Sequence, residues 1–256
     1  MSTGFTKVEG LGNDFILIDS RAGVFEMDAA RAAALCDRHL GIGADGVLIL
    51  RPSAQAAAQL DIWNSDGSRS EMCGNGLRCA AQELFKTLGR EEIRIQTLAG
   101  LHRCRPADGG LVWVELVGLS VGPSETLQVD GRSLEGRVVR LGNPHFVTFD
   151  LPLAAADTLG PALEHHPRFA PQRTNVELCA IEAGALRVRV WERGAGLTLA
   201  CGTGAGAAAA AAWAAQLLPQ AATQVSLPGG KVEVQPLAAD RLGLLGPARA
   251  VFEGRL

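Results

Sequence analysis

The chain has 256 residues, 47% of them hydrophobic, and 24 basic against 27 acidic residues leave a formal net charge of −3. That is enough apolar material for one large core or two moderate ones. Scattered charges of both signs leave no nucleic-acid footprint, and no apolar run approaches the ~20 residues of a membrane-spanning helix.

Taken in chain order, residues 1–10 carry no signal-peptide core, so a soluble cytoplasmic protein with reduced cysteines is expected. A loop at Gly12-Asn13-Asp14 leads into a strand over 15–18. Asp28 caps a helix expected over 29–39 and ended by Gly41. A tight glycine loop, 41–46, precedes a strand at 47–50. A strand at 60–63 and a turn at 64–68 lead to Cys73-Gly74-Asn75-Gly76 and a helix over 77–88. Strands are expected at 92–97, 102–106 and 111–116, with 118–123 as the join between halves. Beyond it come a strand at 137–141, a turn at 142–146, a strand at 147–149 and a short helix at 159–165. Strands at 175–181 and 186–191 and a turn at 192–196 lead to Cys201-Gly202-Thr203-Gly204 and the alanine run 207–215. Short strands at 224–227, 231–235, 241–245 and 251–252 complete the chain.

The two cysteine motifs are copies of one another. Trp63 and Trp191 each precede their cysteine by ten residues, and Gly118 and Gly246 each follow by 45. Leu11-Gly12-Asn13 and Leu141-Gly142-Asn143 stand at nearly matched distances upstream. The spacing is that of an internal duplication. The expected fold is α+β: two pseudo-symmetric domains, each a mixed β-sheet or barrel wrapped around a central helix. A helix of nearly all alanine has no polar face and must be buried all round. The domains are expected at 1–118 and 119–246, with 247–256 returning to complete the first, and the active site in the cleft between them. Cys36, Cys79, Cys104 and Cys179 read as small buried hydrophobes. Cys36-x-x-His39 and the pair His165-His166 lack a second cluster, so no metal site is expected.

The chemistry follows from where the two thiols stand. The first N–H groups of a helix have no internal partner and carry partial positive charge, so they favour a thiolate and seat a carboxylate. A free thiol with a pKa of about 8.5 is only a few per cent ionised at neutral pH. A helix terminus contributes roughly 0.3–2 kcal/mol to an anion, enough to bring one thiol near working pH but not two that face each other. One thiolate and one thiol on opposite sides of a gap form a matched base and acid. That arrangement suits inversion at a carbon bearing C–H. An α-amino acid would lay its carboxylate on the N–H groups of Gly74, Asn75, Gly202 and Thr203. No cofactor is expected; none of Lys7, Lys86 and Lys231 stands in a phosphate-cradle context that would suggest pyridoxal phosphate.

The motifs Cys73-Gly74-Asn75-Gly76-Leu77-Arg78-Cys79 and Glu192-Arg193-Gly194-Ala195-Gly196, running on to Cys201-Gly202-Thr203-Gly204, resemble the two signatures of diaminopimelate epimerase. So do the segments at 10–15, 41–45, 142–145 and 228–230. The resemblance implies cofactor-independent interconversion of LL- and meso-2,6-diaminopimelate, in lysine and peptidoglycan-precursor biosynthesis, by a homodimer. It implies that Cys73 and Cys201 are the acid/base pair, and that His145 and Glu192 tune the thiols and help hold the reacting amine. Asn13, Asn64, Asn143, Asn175 and Arg193 would hold the substrate, chiefly at its distal end. Some members carry glutamine at the position of Gly46, so distal contacts are expected to be fewer here. Thr203 replaces a serine of some members, with a role expected only of its N–H. Two other readings stay open: a racemase of another amino acid on the same fold, and a thiol redox sensor or anion-binding protein without turnover.

Overall fold

The structure, a computed structural model, describes residues 3–256. Met1 and Ser2, the start of the segment read for a targeting core, lie outside them. The chain forms two compact units: residues up to Glu115 together with Leu245–Leu256, and Leu116–Leu244.

The first unit contains β1 (Gly4–Gly10), β2 (Asn13–Asp19), α1 (Ala29–Cys36), β3 (Gly46–Arg51), β4 (Ala58–Asn64), β5 (Arg69–Ser70), α2 (Gly74–Leu88), β6 (Ile93–Thr97), β7 (Gly100–Ala107) and most of β8 (Leu111–Val117). The second contains β9 (Ser120–Val129), β10 (Arg132–Leu141), β11 (Asn143–Thr148), α3 (Ala156–Glu164), β12 (Asn175–Glu182), β13 (Ala185–Glu192), β14 (Gly196–Leu197), α4 (Gly202–Ala214), β15 (Thr223–Leu227), β16 (Gly230–Pro236) and most of β17 (Arg241–Pro247). The last strand, β18 (Arg249–Arg255), pairs antiparallel with β1 in the first unit.

The duplication is visible in the strand ladders. In the first unit β1 and β2 pair antiparallel, β2 and β3 parallel, β3 and β4 antiparallel, β4 and β6 parallel, and β6 and β7 antiparallel. In the second, β10, β11, β12, β13, β15 and β16 follow each other in the same senses. The register matches too: Phe15 lies opposite Gly46 and Gly46 opposite Asn64, as His145 lies opposite Asn175. The Val176–Trp191 pair sets Asn175 beside Glu192 in the same way.

Each sheet curves around one helix. Helix α4 touches β9, β10, β11, β12, β13, β15 and β16, and every residue from Gly202 to Trp213 is buried. Its alanines let strands approach on all sides, as a helix without a polar face requires. Helix α2 touches β1, β2, β3, β4, β6, β7 and β18. Unlike α4 it is buried only from Gly74 to Ala81 and at Leu84; Lys86 and Thr87 face solvent. Only the cysteine end of α2 is therefore core. Among the described residues, no helix is long and apolar enough to cross a membrane.

Several boundaries differ from the sequence reading. Helix α1 stops at Cys36 rather than 39, because the Asp37 carboxylate accepts the N–H groups of His39 and Leu40 and turns the chain early. The stretch read as a join, 118–123, already contains the start of the ten-residue strand β9. Strands β9 and β10 form a hairpin through Asp130 and Gly131, both at positive φ, the combination that a two-residue turn of this hand needs. The turn expected at 142–146 is a single-residue corner at Gly142, and Asn143 already lies in β11.

The packing of α4 makes a clear expectation. Ala209→Leu inserts three carbons into a fully enclosed helix and should destabilise the protein by about 1–3 kcal/mol. Lys86→Leu, on the exposed face of α2, should stay within about 0.5 kcal/mol of the parent. Thermal unfolding of the two variants against the parent measures the contrast.

Candidate active site

In the first unit, Cys73 is the N-cap of α2. Its extended backbone (φ −140°, ψ 112°) lets Sγ turn back and accept the N–H of Gly76 at 3.4 Å. Gly76 has no room for a Cβ: it would lie 2.9 Å from the Leu48 side chain. Asn13, at the start of β2, places Oδ1 3.9 Å from the sulfur and accepts the Asn75 amide on the same oxygen at 3.1 Å. Its own Nδ2 donates to Asp45 at 2.8 Å. Asp45 and Asp14 share Arg38, and Asp14 also meets Lys7 at 2.5 Å. Burial works to raise the Asp14 carboxyl, but Arg38 and Lys7 outweigh it and hold the group below its ordinary value. Asn64 is exposed and donates to Ser68.

Behind Cys73 lies Arg78, wholly buried without a carboxylate partner: it donates to the carbonyls of Gly74 and Pro247 and to Asn75 Oδ1. Burial pushes its pKa down, while Cys79, Cys73 and the Glu9 carboxylate work to raise it. Gly46 has no space for a side chain, since a Cβ would run into the Trp63 carbonyl. A glutamine here would require the backbone to move.

In the second unit, Cys201 caps α4 in the same way, with φ −120°, ψ 112° and Sγ accepting the Gly204 N–H at 3.3 Å. The Thr203 hydroxyl stands 3.5 Å from the sulfur, so the side chain, of which no role was expected, is engaged. Cys201 is buried and its surroundings are acidic. Burial first, then the carboxylates of Glu192 and Glu177, push the thiol well above its ordinary value, against the Thr203 hydroxyl and the Gly204 N–H. Glu192, half-buried at the end of β13, accepts the Thr198 hydroxyl at 2.5 Å. Burial and the Glu177 charge raise its carboxyl to about 7 in spite of that bond. His145 is fully buried on β11, with Nδ1 2.7 Å from Glu177 Oε1.

The loop carrying Arg193 is fastened from two sides. Asn175 accepts the Arg193 N–H at 2.8 Å and donates to the Pro144 carbonyl at 3.0 Å. Glu164 accepts the Gly194 N–H, the Trp191 indole and Arg173. Asn143 is half-buried at the start of β11.

The first unit thus gathers Asn13, Cys73, Gly74 and Asn75 at one helix start, with Asn64 at the end of β4. The second gathers His145, Glu192, Cys201, Gly202 and Thr203, with Asn175 holding the Arg193 backbone. The sequence reading missed Glu177, Glu164 and Arg78. A signal existed for the first: alternation along β12 puts Glu177 on the same face as Asn175, toward α4, where an acid is out of place. Arg78 is three residues from Asn75 in a buried helix start, a pattern with no sequence rule behind it.

The raised Glu192 carboxyl sets a pH dependence. Its folded value of about 7 lies above the ordinary 4.5, so the folded state binds the extra proton. That stability is present in full below about pH 4.5 and is lost as pH rises through about 7. Glu192→Gln should flatten this slope; urea unfolding between pH 5 and 8 for the variant and the parent measures it.

The family model for diaminopimelate epimerase matches residues 5–111 and 137–251. The chain is 44% identical to a diaminopimelate epimerase of Cyanothece sp. and 42% to one of Nostoc sp., in both cases over 100% of each chain. One from Sphingopyxis alaskensis is 41% identical, covering 99% of this chain and 97% of that one. Among solved structures, a probable proline racemase from Agrobacterium radiobacter superimposes with a TM-score of 0.75 at 18% identity, over 99% of this chain and 92% of that one. A hydroxyproline epimerase from Agrobacterium vitis gives 0.74 at 16%, over 100% and 91%. These two show the fold: two sheet-rich halves with few helices. With both halves matched and relatives similar along their whole length, the chain belongs to the diaminopimelate epimerase family.

Proposed function

We propose that this protein interconverts LL- and meso-2,6-diaminopimelate without a cofactor, with Cys73 and Cys201 as a two-base pair. The observation that carries the reading is the repeated cap: two sulfurs, each accepting the third N–H of its helix, on a chain of this family. In the proposal the two sulfurs flank one α-carbon in the cleft between the units. The substrate carboxylate lies on the N–H groups of Gly74, Asn75, Gly202 and Thr203, which stabilise the charge that grows there as the C–H bond breaks.

The difference between the two surroundings supports a direction. Burial and two carboxylates favour the protonated form of Cys201. The buried Arg78 guanidinium and a Cys73 thiolate favour each other. Cys73 then rests as the thiolate and Cys201 as the thiol. For LL substrate, Cys73 takes the α-proton, the electron pair stays on the substrate, and Cys201 delivers its S–H proton to the opposite face. Both thiols end in exchanged protonation states, and the reverse reaction starts from there. His145 and Glu192 support the thiols and the reacting amine. Asn13, Asn64, Asn143, Asn175 and Arg193 hold the distal amino-acid head, carbonyl oxygens for its ammonium and a guanidinium for its carboxylate. The reading carries with it a cytoplasmic location, a place in lysine and peptidoglycan-precursor synthesis, and a homodimer.

Incubation with LL-diaminopimelate in heavy water should place deuterium at one α-carbon as the meso isomer forms. Cys73→Ala and Cys201→Ala should each lower epimerisation by at least about 10³-fold, since each removes an acid or base outright. Full epimerisation in either variant, or no exchange by the parent, would rule the proposal out.

A further inference from the structure

The pair His145–Glu177 is a polar intrusion where the fold does not ask for one. The two positions have counterparts in the first unit. His145 faces Asn175 across β11 and β12 as Phe15 faces Gly46 across β2 and β3, which makes Phe15 and Leu48 the equivalents of His145 and Glu177. The glycines agree: a Cβ on Gly76 would meet Leu48, and a Cβ on Gly204 would meet Glu177 Oε1 at 2.7 Å. At these two positions the first unit carries a phenyl ring and an isobutyl group. The second carries an imidazole and a carboxyl, both wholly buried. Burying such a pair carries a desolvation cost that an apolar pair does not, so packing alone gives no reason for it.

The hydrogen bonding is also incomplete. Nδ1 of His145 and Oε1 of Glu177 satisfy each other at 2.7 Å, but His145 Nε2 and Glu177 Oε2 are buried with no partner. Buried polar atoms of a native protein are usually satisfied, and exceptions gather where a ligand or reaction completes them. The ionisable groups that face the Glu177 carboxyl are His145 from β11, Glu192 from β13, Cys201 at the start of α4 and Cys179 on its own strand.

We propose that Glu177 is the positioning residue for His145: it accepts the Nδ1 proton, fixes the ring, and leaves Nε2 as the nitrogen that serves the reaction. An imidazole has two tautomers, and a carboxylate on one nitrogen selects between them. Gly204 is part of the device, because only a residue without a side chain lets the carboxyl and the Cys201 sulfur both reach the first turn of α4. The inference rests on the epimerase reading for what Nε2 does, but not for which tautomer the ring adopts.

Ring-nitrogen NMR of the histidine-labelled resting protein, with the His145 signal assigned by its loss in His145→Phe, reads the tautomer without substrate. The parent should hold its proton on Nδ1, and Glu177→Leu should lose it from there. An unchanged ring in Glu177→Leu overturns the proposal. Kinetics give the second arm: Glu177→Leu should lower kcat by about 10–100-fold with KM within about twofold. The double variant His145→Phe/Glu177→Leu, which rebuilds the apolar pair of the first unit, should fold and be no slower than His145→Phe alone. Two losses that multiply would show Glu177 acting other than through His145. Should Glu177→Leu fail to fold, Glu177→Met, of similar length and without an oxygen acceptor, takes its place, with loss of the fixed Nδ1 proton and the same non-additivity expected. A parent inactive on diaminopimelate would sink the functional reading while leaving the tautomer measurement to decide the inference.

Discussion

The structure is organised around the start of a buried helix. A helix that runs through the middle of a curved sheet presents its first N–H groups in a place water does not freely solvate, and they need acceptors. At Cys73 and Cys201 the acceptor is a sulfur, reached from an extended residue, with a glycine three positions on to let it close. The N–H that each sulfur accepts is the third of its helix, and the first two go to the substrate carboxylate in the proposed reaction. Fold and site are one constraint here: the helix must be enclosed to deliver its end, and its end must be capped by something reactive to be useful.

A duplicated backbone then carries unlike side chains. Phe15 answers to His145, Leu48 to Glu177, Asn64 to Glu192, and Arg78 in α2 to Gly206 in α4. The buried Arg78 guanidinium therefore acts on the first thiol, and the carboxyls of Glu192 and Glu177 act on the second. In the proposed two-base exchange one partner starts empty and the other full, and these unlike surroundings are what the proposal uses to tell them apart.

Around these two centres the supporting bonds are short and numerous. Asn13 is held by Asp45 and Asn75, and Asn175 is tied to the Pro144 carbonyl and the Arg193 N–H. Glu164 grips the loop after Trp191 through Gly194 and the indole. Residues read as substrate contacts thus also fasten backbone. That combination keeps polar groups aimed before a ligand arrives, so less ordering is left for binding to supply.

Much of this was legible in the residues alone. The repeated Cys-Gly-x-Gly, the paired tryptophans and the alanine run announced a duplicated fold with a buried helix, because helix starts and glycine spacing obey local rules. The strands were legible wherever apolar residues alternate. The strand β9 was not, since Pro123 and Gly122 punctuate it and only pairing with β10 makes it a strand. Nor were Glu177 and Arg78, whose meaning lies in what the other elements bring against them. A lone glutamate in a strand and an arginine in a helix are ordinary letters; burial beside His145 or behind Cys73 makes them exceptional. The sequence by itself determined the duplication, the family and the two helix-start cysteines, which depend on neighbours along the chain. Only the tertiary structure decided what surrounds each of those cysteines, because that depends on charges and burial contributed by residues distant in sequence.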